Sequence, residues 1–190
     1  MKKIGFFLLV AVVLTTNVLA QSVKWVSTID GKHQIPVGPC TWQELQKSDF
    51  YPEMEAFYFQ YAPDKSYLHS LVEIVMTYFP EYTLRANLFF GAWDMDSQQM
   101  LGELVRYREL LSNDCQFTGF AYNLIAEDEN FATVEGAPSV NELPALLVSL
   151  VPKTDEQDVI PIGTIHRIPN FSLEDDLIDM LGKARKKMNR

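Results

Sequence analysis

Residues 88–97 read Leu88-Phe89-Phe90-Gly91-Ala92-Trp93-Asp94-Met95-Asp96-Ser97. The apolar run from Leu84 to Gly91 predicts a strand. Behind it, Met100, Leu101, Leu104, Tyr107 and Leu111 recur at helical spacing and predict a helix from about Asp96 to Leu111. Trp93 to Ser97 therefore occupy a strand-to-helix junction. Its chemistry is that of an indole, two carboxylates and a hydroxyl, with no thiol.

Upstream, residues 21–40 lack periodicity and contain Gly31, Pro36, Gly38 and Pro39, which reads as an irregular lead-in. Thr41-Trp42-Gln43-Glu44 has capping-box spacing and starts a short helix. Pro52 separates it from an aromatic-rich stretch ending at Tyr61. Leu68, Leu71, Val72, Val75, Tyr78 and Phe79 share one helical face over 65–79, between Asp64 and Pro80. Downstream, a second strand is expected over Thr118–Ala126 and a polar loop over 127–142. Ala145–Val151 reads as a strand covered on both faces. A turn over Pro152–Asp158 leads to a strand from Ile160 to Ile168. A last helix starts at Ser172, with an acidic first turn and a basic end at Lys183, Arg185, Lys186, Lys187 and Arg190. The order is helix, strand, helix, strand, strand, strand, helix. It predicts an α/β sandwich with one parallel crossover, a pattern shared by several α/β folds.

The junction resembles that of the thioredoxin superfamily, where the tetrad after the tryptophan is Cys-x-x-Cys. It is similar to an exported variant reading Trp-Cys-x-Asp-Ser, with Trp93, Asp96 and Ser97 matching and Asp94 replacing the attacking cysteine. Ser97 stands where the resolving cysteine would be. Leu143-Pro144 matches the family's cis-proline, and Ile162-Gly163-Thr164-Ile165 through Leu177 resembles that variant's ending. The likeness covers about 65–184. It departs at Leu88, in place of a buried carboxylate, and at Gly102, in place of a helix proline. The resemblance implies a thioredoxin-like α/β sandwich with an N-terminal helical, aromatic-rich extension. A carboxylate and a hydroxyl cannot exchange disulfides, so it also implies a redox-inactive module. That module would bind a protein or peptide in a groove formed by Trp93, Asp94, Asp96, Ser97, Leu143 and Pro144. The expected divisions are 1–20 signal peptide, 21–64 extension and 65–190 thioredoxin-like domain.

An Asp-x-Asp at a strand end also opens haloacid-dehalogenase-type phosphatases, so the alternative is a Mg²⁺-dependent phosphatase using Asp94 and Asp96. The plainer view is two solvated carboxylates at a helix start. His33, His69 and His166 are scattered, which gives no metal-ligand pair, and no cofactor is expected. Ser97 and His166 could enter a nucleophilic triad only by coincidence of composition.

Lys2, Lys3, the apolar run Ile4–Leu14 and Val18-Leu19-Ala20 read as a cleaved export signal. The apolar run is shorter than the roughly 20 residues of a spanning helix, so no transmembrane segment is expected after cleavage. The destination expected is the periplasm or the extracellular space of a bacterium, and the partner another exported or envelope protein. The full chain carries 16 basic and 25 acidic residues, a net charge of −9, and removal of Lys2 and Lys3 makes this −11. Such a balance argues against nucleic acid. Hydrophobic content of 47% marks a chain able to build a core. Cys40 and Cys115 are either a disulfide, permitted by export, or two buried thiols. Eleven aromatic residues between Trp42 and Tyr82 are either core or an exposed patch for a protein or glycan.

Overall fold

The computed structural model describes residues 23–130, 142–154, 158–169 and 171–188. The expected signal peptide, most of the 127–142 loop and part of the Pro152–Asp158 turn lie outside them. The described chain is a mixed α/β fold with a six-stranded sheet and five helices. The elements are β1 (Lys24–Ser27), β2 (Gln34–Cys40), α1 (Trp42–Leu45), α2 (Tyr51–Gln60), α3 (Lys65–Tyr78), β3 (Tyr82–Gly91), α4 (Met95–Asn113), β4 (Phe120–Glu127), β5 (Ala145–Pro152), β6 (Ile160–His166) and α5 (Leu173–Met188). The sheet order is β1-β2-β4-β3-β5-β6. Only β3 and β4 run parallel, joined by the crossover through α4; the other neighbours are antiparallel.

Helix starts follow the local chemistry read from the sequence. Thr41 and Glu44 form the capping box of α1, and the Asp64 carboxylate accepts the Ser66 N–H at 2.7 Å to begin α3. The Ser172 hydroxyl accepts the Asp175 N–H at 3.2 Å ahead of α5. Pro52 lies in the first turn of α2, where its missing N–H has no intrahelical partner to lose.

Residues 21–40 are a correction. Instead of an irregular lead-in, they supply β1 and β2, a hairpin turned at Gly31 with φ +71°. The residues lack a clean alternation because Pro36 and Pro39 interrupt it, while Ile35 is still buried. β2 bonds to β4, with Gly38 opposite Ala126 and Cys40 opposite Leu124. The expected extension thus enters the same sheet and core, through Ile35, Leu45 and Met54. Gly102 explains how α2 reaches α4. A Cβ there would stand 2.6 Å from the Met54 carbonyl oxygen and 2.7 Å from the Tyr58 nitrogen. The two helix backbones touch at a position where only hydrogen fits.

The core draws on all five helices and on alternate strand residues: Leu84, Ala86, Leu88 and Phe90 of β3, with their neighbours on β4 and β5. The intervening residues Arg85, Asn87, Asn123 and Ser149 belong to the opposite face, where the Asn123 amide donates to Asn87 at 2.7 Å. Of the aromatic-rich stretch, Phe79 is buried and Phe59 is 73% exposed, while Trp42, Tyr51 and Tyr58 are half-buried, Trp42 stacking on Tyr58 and meeting Tyr51 at a tilt. The cluster is therefore a rim to the helix layer, partly core and partly surface. At the sheet's margins, β1 has four residues, and β6 carries Pro161 beside a register break at Val148/Ser149.

Candidate functional site

The turn Gly91–Gln98 is held by its own polar groups. Asp94 is the N-cap of α4, and its carboxylate accepts the Ser97 N–H at 2.8 Å. The Ser97 hydroxyl oxygen accepts the Gly91 N–H at 3.1 Å, and the Gln98 amide donates to the Ala92 carbonyl at 2.9 Å. Ser97 is fully buried and Gln98 nearly so. These bonds close the end of β3 onto the start of α4. Ser97 is shut off from solvent and accepts a hydrogen bond from the main chain, so it offers no nucleophile and forms no pair with the exposed His166.

Trp93 is half-buried and folds back over the strand. A Cβ on Gly91 would lie 2.8 Å from its ring. Met95 beside it is 70% exposed, and Asp96 is half-buried in the first turn of α4. Leu143 and Pro144, joined by a cis peptide bond, lie at the same end of the sheet on the other side of β3, since Ala145 is opposite Phe89. The Pro144 carbonyl accepts the Arg167 N–H at 2.7 Å. The six residues expected to form a groove thus share one end of the sheet. Leu88 is in the core.

Glu127 is not among the site residues expected from the sequence. The expected strand stopped at Ala126, but β4 continues one residue further and takes Glu127 into the sheet in register with Gly91. Glu127 is 2% exposed, and neither carboxylate oxygen has a hydrogen-bond partner among the described residues. Burial, reinforced by the neighbouring Asp128 charge, pushes its carboxyl up to about 6. The one legible signal was an acidic residue directly after Leu124-Ile125-Ala126.

The cysteines stand apart from this site and from each other. Both are free, so the disulfide considered from the sequence is not formed. Cys40 lines a cleft of about 520 Å³ with Trp42 and Tyr122. Cys115 follows α4 and lines a separate cleft of about 500 Å³ with Val75, Phe79 and Phe117, at the start of the parallel strands. Burial, then Glu44, pushes the Cys40 thiol up to about 12; burial, then Asp114, raises Cys115. Thiols raised in this way are poor nucleophiles. Among the described residues, no group of three His, Cys, Asp or Glu side chains is placed to hold a metal ion.

No known protein family and no curated protein matches the sequence. Among solved structures, the chain is similar to a protein of unknown function from Pseudomonas aeruginosa, with 14% identity and a TM-score of 0.48 over 80% of this chain and 93% of that one.

Proposed function

We propose that this chain is an exported, thioredoxin-like module without redox activity, which binds another exported or envelope protein in the groove between Trp93 and Leu143-Pro144. The observation that carries this reading is the division of labour within the Trp93–Ser97 turn. Asp94 and Ser97, at the two cysteine positions of the resembled motif, are taken up in holding the turn, while Trp93 beside them stays half-buried. A half-buried tryptophan beside a fixed main-chain turn is the kind of anchor that protein interfaces use. The strand–helix–strand passage β3-α4-β4 and the return through β5 and β6 to α5 are in keeping with the fold assignment. Export rests on the features of residues 1–20. The raised thiols of Cys40 and Cys115 favour a structural use for both. No observation favours the phosphatase alternative, since Asp94 caps a helix and Ser97 closes the turn.

The test is capture of a partner from envelope extract by the tagged protein, in parallel with Trp93→Ala and Pro144→Ala versions that keep the parent's circular dichroism spectrum. A stoichiometric partner held by the parent and lost from both variants is the expected result. A partner retained by all three places the interface elsewhere. Insulin reduction at a thioredoxin-like rate would refute the claim of redox inactivity.

A further inference from the structure

Five segments meet at the end of the sheet that carries Trp93: the β1–β2 turn, the turn into α4, the residues closing β4, those leading into β5, and those leaving β6. Among the described residues they bring seven carboxylates, on Asp30, Asp94, Asp96, Glu127, Asp128, Glu129 and Glu142, and two strong bases, Lys32, which pairs with Asp30 at 3.4 Å, and Arg167; Glu129 accepts the Ile29 N–H. Arg167 lies 3.8 Å from Glu142. The N-terminus of α4 would by itself draw an anion. Here the Asp94 carboxylate already takes the Ser97 N–H and Asp96 adds a second charge in the first turn, so an anionic ligand is repelled.

Glu127 is an independent observation pointing the same way. A carboxylate removed from water without a hydrogen-bond donor is costly. Its two unpartnered oxygens can each accept a donor, and a cationic donor satisfies them best. Side chains in register on paired strands project to one face, so Glu127 lies on the face of Gly91, the face over which the Trp93 ring folds. Trp93 adds an aromatic surface, which attracts ammonium and guanidinium groups.

From this arrangement we infer that the groove takes an extended segment bearing lysine or arginine, its cationic side chain directed past Trp93 toward Glu127 and the surrounding carboxylates. This deepens the peptide-binding reading and rests on it. Apolar residues of the segment meet Trp93 and Leu143, and the acidic surround selects the charge.

Three labelled peptides test it: Gly-Val-Leu-Xaa-Val-Xaa-Leu-Val-Gly with Xaa as lysine, glutamine or glutamate. They are titrated into the purified protein by fluorescence anisotropy at low and high salt. The lysine peptide is expected to bind roughly tenfold tighter than the glutamate peptide, with the margin shrinking in high salt. Glu127→Gln should remove most of that preference, and Asp96→Asn, at a half-buried surface position, a smaller part; the latter carries the test if the former fails to fold. Equal affinity for all three peptides, or tightest binding of glutamate, overturns the charge inference and leaves the groove reading standing. A lysine preference untouched by either variant assigns it to diffuse surface charge and overturns the site. Binding of none of the peptides overturns the inference, while the groove reading is then decided separately by the capture experiment.

Discussion

Along α4, the N-terminal turn around Asp94 and the middle around Gly102 touch the rest of the chain in opposite ways. At the turn, side chains add bonds: the Asp94 carboxylate, the Ser97 hydroxyl and the Gln98 amide each engage a main-chain group within the stretch Gly91–Ser97. At Gly102, absence of a side chain lets the α2 backbone come within contact distance. At the first position polar side chains act as fasteners, and at the second a missing side chain makes room for α2. A site whose turn is fastened by its own polar atoms is rigid independently of what the neighbouring helices do, whereas the seating of α2 depends on a single hydrogen atom.

The sharpest way to break this contrast is Gly102→Ala. Alanine favours a helix interior by about 1 kcal/mol over glycine, but the new methyl meets main-chain atoms that cannot rotate away. A net loss of about 3 kcal/mol is expected from overpacking, read as a lowered denaturant midpoint. Ser97→Ala should follow, costing about 2 kcal/mol because the buried Gly91 N–H loses its acceptor. A cost below that of an exposed-site alanine control would show the turn to be held by other means.

Glu127 gives a pH-dependent contrast. Its carboxyl is raised from the ordinary 4.5 to about 6, so the folded state favours the neutral acid. Its contribution therefore lowers stability as pH rises from 4.5 to 6, and the full penalty is present above 6. Glu127→Gln should stabilise the protein at pH 7.5 by about 1–2 kcal/mol and bring no gain at pH 4. Chemical unfolding of parent and variant at both values checks the sign. The smallest effect is Asp94→Ala, at about 1 kcal/mol for a lost N-cap, with thermal unfolding as the measure.

Much of the helix layer was legible because helix caps and apolar periodicity are local. Thr41, Asp64, Asp94 and Ser172 mark helix starts, and the inward faces of α3, α4 and α5 follow their spacing. The β1–β2 hairpin was not legible, since two prolines break its alternation and its pairing partner β4 lies some 85 residues downstream. At the site, the grouping of Trp93 to Ser97 was plain from contiguity, but the uses of its oxygens were not. Burial of Glu127 depends on one further residue of strand pairing, a difference smaller than pattern reading resolves. The separation of Cys40 from Cys115 is likewise a matter of which strand the first joins.

The sheet's two margins have a consequence for crowded conditions. An open strand edge is a template on which a second chain can polymerise. On one side the rim is only four residues long; on the other, Pro161 withholds an N–H and the pairing slips at Val148/Ser149. Neither rim offers a long, regular row of donors and acceptors. Short or broken rims of this kind keep a folded chain from adding copies of itself, strand on strand, into fibres.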